Sequence, residues 1–208
     1  MKATGAQIII GILQNEGITT LSGIPGGSNL PLYDALGESP IRHVLARHEQ
    51  AAGFLAQGMA RSTGEVAVCF ATSGPGVTNL LTAIADAKLD SIPIVAITGQ
   101  VPRPMLGTDA FQEIDTLGLS IPIVKHSVLI ENAAQLLEEL PKAFRIARSG
   151  RPGPVVIDVP KDVQMEIVEF DQWPKAGQID PLPSLAGKDE ILDKILSMIA
   201  TSMRPLVY

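Results

Sequence analysis

A single cysteine in 208 residues leaves no partner for an intrachain disulfide and no thiolate cluster for a metal. Cys69 lies in the apolar run Val66-Ala67-Val68-Cys69-Phe70-Ala71, where a thiol behaves as a small hydrophobe. Positive charge is also short: 16 Lys and Arg against 22 Asp and Glu give a formal net charge of −6, with no basic cluster to offset it. Such a surface repels a phosphate backbone, so nucleic acid is excluded as a partner. Apolar runs stop well short of the ~20 residues a membrane helix needs, so no membrane association is expected. The first residues lack the long apolar stretch and small-residue cleavage site of a signal peptide, so the expected location is cytoplasmic. What remains is a chain 46% hydrophobic and 18% charged, able to bury a sizeable core. Its 19 Gly and 16 Pro imply many tight connections. The length allows one full domain and the beginning of another at roughly 100–200 residues each.

Hydrophobic periodicity alternates along the chain. Ala6, Ile9, Ile10 and Leu13 form a helical stripe that Gly17 closes. Strands are expected over residues 18–23, 41–46, 66–72, 92–98, 122–129 and 154–159. Helices are expected over about 29–36, 48–61, 76–88, 114–117 and 134–148. Val66 to Thr72 and Ile92 to Thr98 are apolar without alternation, as strands covered on both faces are. Strands alternating with helices imply an α/β fold: a doubly wound, mainly parallel six-stranded sheet with helices on both faces. Ligands on such sheets bind at the carboxyl ends of the strands. Pro141 inside the 134–148 helix is expected to free the carbonyl of Leu137 and kink the helix. The aperiodic, Pro-bearing stretch after Pro160 reads as a linker, followed by a helix over 189–198 and an apolar strand start at Pro205-Leu206-Val207-Tyr208. The expected division is a domain over residues 1–165, a linker over 166–187, and the truncated start of a second domain over 188–208.

Gly and Pro concentrate in the strand-to-helix turns Gly23 to Gly27, Ser73 to Gly76 and Gly99 to Gly107. None is a Walker A loop or a Gly-x-Gly-x-x-Gly fingerprint. Any one of them is explained as an ordinary tight turn; their clustering at one sheet end favours a ligand without naming it. Glu49, in Arg47-His48-Glu49-Gln50-Ala51-Ala52, stands where a strand hands over to a helix. A first-turn Glu is favoured by the helix dipole by ~0.3–1 kcal/mol. The small and apolar residues Ala51 to Phe54 imply instead a buried helix start, where a carboxyl gives or shares a proton near neutrality. Arg47 and His48 read as surface charges.

Further segments occur in order: Ile24-Pro25-Gly26-Gly27, Arg47-His48-Glu49-Gln50, Thr72 to Leu80, Asp90-Ser91-Ile92-Pro93, Thr98 to Pro102, Gly107 to Glu113, Lys125-His126, Ser149 to Val155 and Asp158 to Asp162. Over residues 4–165 the chain resembles the pyrimidine-binding N-terminal domain of the thiamine-diphosphate enzymes, and within them the bacterial type of acetolactate synthase (acetohydroxyacid synthase) large catalytic subunit; Gly107 to Glu113 narrows it to this branch. The resemblance implies that Glu49 hydrogen-bonds N1′ of the cofactor's aminopyrimidine and so activates the thiazolium carbon. It implies that Pro75, Asn79 and Gln112 line the pyrimidine and the active-site wall, with Glu49 and Gln112 taking part in catalysis. Phe111 and Lys161 fall on the substrate channel, and Ser91 and Arg151 on contacts to a structural FAD.

The implied reaction condenses two pyruvates to 2-acetolactate, or pyruvate with 2-oxobutyrate, in branched-chain amino-acid biosynthesis. Implied partners are a second copy of the chain, in a homodimer or tetramer with shared active sites, and a small regulatory subunit. The motif that holds Mg²⁺ and the diphosphate, Gly-Asp-Gly with a downstream Asn, does not occur here, so no metal ligand is assigned to this chain and the chain alone is expected to be inactive. Pro104 stands where many relatives carry an Arg, which lowers the expected channel charge. Rival readings are another carboligase or oxidase such as pyruvate oxidase, and a non-catalytic association module. Glyoxylate carboligase lacks the acid found at Glu49.

Overall fold

The computed structural model describes residues 1–177 and 189–206. Its centre is a sheet of parallel strands in the order β3-β2-β4-β5-β7-β6. These are β2 (Thr20–Gly23), β3 (Arg42–Leu45), β4 (Ala67–Ala71), β5 (Ile94–Gln100), β6 (His126–Leu129) and β7 (Val155–Pro160). Every residue of β4, β5 and β7 is buried, which accounts for their unbroken apolar sequence. One face of the sheet is covered by α1 (Gly5–Asn15), α2 (Leu30–Gly37) and α6 (Leu136–Arg148), through a core that includes Ile9, Leu13, Leu32, Phe70, Ile97, Leu140 and Phe144. The other is covered by α3 (Glu49–Thr63) and α4 (Pro75–Leu89), over Ala56, Ala60, Cys69, Leu80, Ile84 and Ala96. Buried in this second layer, the Cys69 thiol is pushed up to about 12 and stays protonated.

The chain leaves β2 toward β3 and returns past it to β4, so the order reverses between β2 and β4. Crevices of open α/β sheets form at the carboxyl ends of such a pair. Here the two turns are stitched together. Ser28 N–H donates to Thr72 Oγ1 at 3.2 Å, and the Ser28 and Ser73 hydroxyls lie 2.8 Å apart.

Several elements depart from the sequence pattern. Residues 2–4 form β1 (Lys2–Thr4), which pairs antiparallel with β8 (Ile167–Glu169). Thr4 also opens α1 with a capping box shared with Gln7. The stretch read as linker is therefore ordered in its first part. It forms α7 (Lys161–Met165) and β8; Trp173 then packs edge-on against Phe170, and Gly177 N–H bonds Glu16 at 2.5 Å. The remainder of that expected linker, 178–187, lies outside the described residues, as does residue 188. The helix expected over 114–117 is α5 (Thr116–Ser120), and a 3-10 turn at Ile121–Ile123 shortens the strand that follows. α6 runs unbroken through Pro141. Past the gap, α8 (Asp189–Thr201) buries none of its side chains. Pro205 and Leu206 form no strand, and Val207 and Tyr208 fall outside the described residues.

Candidate functional site

The helices α3 and α4 lie against each other at unusually small residues. A Cβ on Gly53 would meet the Ala83 methyl at 2.5 Å, so only glycine permits this approach. Gln57, buried between them, donates to the Ala83 carbonyl at 2.8 Å. Their close contact brings Asn79, one turn into α4, beside Glu49 at the first position of α3. Asn79 Nδ2 donates to Glu49 Oε2 at 3.0 Å. Glu49 Oε1 has no hydrogen-bond partner among the described residues, so one carboxylate oxygen is held and the other is available.

Expectation and structure differ on the surroundings of this carboxylate. The start of α3 is not buried: Glu49 is half-buried, Ala51 is exposed and Phe54 is 42% exposed. The reason is helical period, since Ala52, Gly53 and Ala56 face the sheet and α4 while Ala51 and Phe54 point away. His48, read as a surface charge, is the N-cap of α3; its Nδ1 accepts from Gln50 N–H at 3.2 Å.

Pro75 occupies the first turn of α4 and is exposed beside Gly74. Gly74 has φ of +57°, and a Cβ there would come within 2.8 Å of the Gln112 Cα. The loop after β5 is thus seated directly on the head of α4, with Gln112 backbone against Gly74. Gln112 and Asp109 both take positive φ, 59° and 55°, at a cost of about 1–3 kcal/mol each for residues with a side chain. Phe111, next to Gln112, is 86% exposed. Lys161 opens α7 at the end of β7 and is half-buried, rather than a linker charge. Arg103 joins the same two segments. Its guanidinium bonds Asp162 at 2.6 Å and approaches Glu166 at 3.2 Å, holding the Asp162 carboxyl below its ordinary range. Pro104 stands in the short 3-10 turn Arg103–Met105.

Glu49, Pro75, Asn79, Phe111, Gln112 and Lys161 therefore all lie at the carboxyl end of the sheet. Ser91 and Arg151 do not. They precede β5 and β7, at the amino end, separated from the first group by the seven residues of β5, roughly 20 Å at ~3.3 Å per residue. The two nevertheless meet: Arg151 Nε donates to Ser91 Oγ at 2.7 Å, and its Nη2 donates to the Leu89 carbonyl at 2.8 Å. Ser91 holds φ of 60°.

One more carboxylate lies within the sheet itself. Asp158 in β7 is 3% exposed; Thr98 Oγ1 donates to it at 2.5 Å and Gln100 Nε2 at 3.0 Å. Burial pushes its carboxyl up to about 7, against hydrogen bonds from Thr98, Gln100 and Thr116 that pull it down. Its signal was visible as a carboxylate inside the apolar run Val155-Val156-Ile157-Asp158-Val159, opposite Thr98 in the register. No group of His, Cys, Asp and Glu suited to a metal occurs among the described residues. No helix among them is long and apolar enough to cross a membrane.

Residues 3–119 match the family model described as thiamine pyrophosphate enzyme, N-terminal TPP binding domain. Over 208 residues the chain is 55% identical to the acetolactate synthase isozyme 1 large subunit of Escherichia coli K12, covering 100% of this chain and 37% of that protein. It is 47% identical over 214 residues to an acetolactate synthase of Arthrospira platensis, covering 100% of this chain and 37% of the relative. It is 48% identical over 206 residues to a probable acetolactate synthase large subunit of Methanocaldococcus jannaschii, with 98% and 35% covered. The chain thus spans little more than a third of the length of these relatives.

Proposed function

The chain belongs to the family of thiamine pyrophosphate enzyme N-terminal domains, and from that premise we propose that it is the pyrimidine-activating part of an acetolactate synthase catalytic subunit. The single observation that carries the reading is the Glu49–Asn79 pair: a carboxylate fixed by an amide through one oxygen, with the other free at the carboxyl end of the sheet. That donor set suits a weakly basic ring nitrogen, which needs one short-range proton partner held in a fixed direction. Thiamine diphosphate, when bound, supplies the electron sink that lets a 2-oxo acid lose carbon dioxide and join a second one.

This chain's residues then have separate tasks. Glu49 holds or shares the proton at N1′ of the aminopyrimidine, and Asn79 keeps its carboxylate from turning away. Pro75, exposed at the head of α4, would line the ring. Gln112 and the exposed Phe111 overhang the same end and border the substrate channel with Lys161. The substrates are two pyruvates, or pyruvate and 2-oxobutyrate, and the product serves branched-chain amino-acid biosynthesis. Residues 1–165 form the pyrimidine domain with 166–177 packed onto it, and 188–208 begin a middle domain.

Mg²⁺ and the diphosphate would be held by residues outside this chain, and Ser91 and Arg151, which meet at the end of the sheet away from Glu49, would hold FAD in a structural role. A second copy of the subunit completes each active site in a homodimer or tetramer, and a small regulatory subunit joins the large one in the cytoplasm. The test is Glu49→Gln in the full-length protein. Acetolactate formation from pyruvate is expected to fall by about 10²–10⁴-fold with the fold retained. Unchanged activity would overturn the reading and leave an association module in its place.

A further inference from the structure

We propose that Gln100, oriented by Asp158 and Thr98, is a positioning residue that anchors the Gly107–Glu113 loop and thereby sets Gln112 over the head of α4. The inference rests on the reading above only in placing Gln112 at the reaction site.

Gln100 is the last residue of β5 and is 2% exposed. Its amide is directed from both sides. Oε1 accepts from Val101 N–H at 2.8 Å, which turns Nε2 toward the loop. Nε2 then donates to Asp158 Oδ2 at 3.0 Å and to the Ile114 carbonyl at 2.9 Å, with Thr116 Oγ1 at 3.3 Å. The Ile114 carbonyl lies two residues past Gln112 and two before the start of α5. Asp158 is itself held by Thr98, its register partner in the neighbouring strand. The anchor is thereby tied to β5 and β7, every residue of which is buried.

The loop needs such an anchor. It carries positive φ at Gly107, Asp109 and Gln112, and its internal hydrogen bonds are few: Glu113 N–H to the Ala110 carbonyl at 2.9 Å, and Gly107 N–H to Glu113 Oε1 at 3.3 Å. Between loop and sheet lies a cavity of about 300 Å³, bordered by Gln100, Leu106, Glu113, Thr116, Leu129 and Asp158. Packing alone does not fill this space, so the polar link from Gln100 crosses one side of it. Unusual backbone persists only where surroundings over-determine it. Here Gly74 does so from below and Gln100 from the loop's far root.

The full-length protein tests this through amide hydrogen exchange of residues 106–113 alongside kcat and KM for pyruvate. In Gln100→Met, exchange in this loop is expected to accelerate about tenfold or more while β4 and α6 keep their protection. The ratio kcat/KM is expected to fall about tenfold, chiefly through kcat. Thr98→Val, which removes only the hydroxyl donor to Asp158, is expected to do the same more weakly, and Thr98→Ser to restore wild-type exchange and turnover. This pair carries the test if Gln100→Met fails to fold. Unchanged loop exchange in the variants overturns the proposal, as does a loosened loop with unchanged turnover. Failure of the functional reading is read separately, as full activity in Glu49→Gln.

Discussion

The two ends of the sheet are built from similar materials and put them to different uses. At the amino end three cations donate to backbone carbonyls. Lys125 donates to the Ile146 and Ser149 carbonyls, Lys88 to the Val124 carbonyl, and Arg151 to the Leu89 carbonyl and Ser91. The contacts to Ile146, Ser149 and Leu89 close the ends of α6 and α4, whose last carbonyls lack intrahelical partners. At the carboxyl end the charged and polar groups hold one another in place and leave a valence open. Glu49 is held by Asn79 yet keeps a free oxygen, and Gln112 is seated on Gly74 with Phe111 projecting beyond it. Placement at the open end of a crevice matters less than being fixed without being saturated.

The largest expected effects fall on the carboxyl end. Glu49→Gln should remove most turnover of the full-length enzyme, and Asn79→Ala should cost less, since it frees the carboxylate without removing it; steady-state kinetics with pyruvate order the two. Comparable losses from Arg151→Ala would break the contrast between the ends. Next comes Gly74→Ala. Its φ of +57° and the 2.7–2.8 Å approach of a Cβ to the Gln112 backbone must displace the loop. A stability loss of about 1–3 kcal/mol in urea unfolding is expected, with a larger proportional loss of activity.

Asp158 sharpens the comparison through pH. Its carboxyl is raised from 3.8 to about 7, so the folded chain keeps a proton that the unfolded chain releases. Stability from that proton is complete below about pH 4 and is lost as pH rises through 7, on the order of a few kcal/mol. Urea midpoints between pH 5 and 8 should fall in the wild type and fall less in Asp158→Asn. An equal decline in both would remove Asp158 as the cause. The smallest effect is expected at the amino end: Arg151→Ala should leave kcat with pyruvate nearly unchanged in the full-length protein, read by the same kinetics.

Much of the fold was legible because burial on both faces of a parallel sheet leaves long apolar strands, and α1, α3 and α4 carry clear helical periods. β1 and β8 were not legible. Three residues carry no period, and Ile167 to Glu169 become a strand only because residues 2–4 lie beside them. The same pairing helps pack the described part of the segment after Pro160, as far as Gly177, onto the sheet domain. In the site, Glu49, Asn79 and Gln112 stood in recognisable motifs. Thr98, Gln100 and Asp158 stood in such motifs too, but their network was not legible, because Thr98 and Gln100 signal only as polar residues two apart in an apolar strand, and their partner lies 60 residues away from Thr98.

By itself the chain determined its alternation of strand and helix, the turns that need glycine, and the chemical types available at each. Those follow from local sterics and from which side chains water rejects. Tertiary structure alone decided that Glu49 meets Asn79, that Gln112 rests on Gly74, and that Arg151 meets Ser91. Each is a contact between distant segments. Their positions depend on strand order and on how closely two helices approach, and no local pattern encodes either.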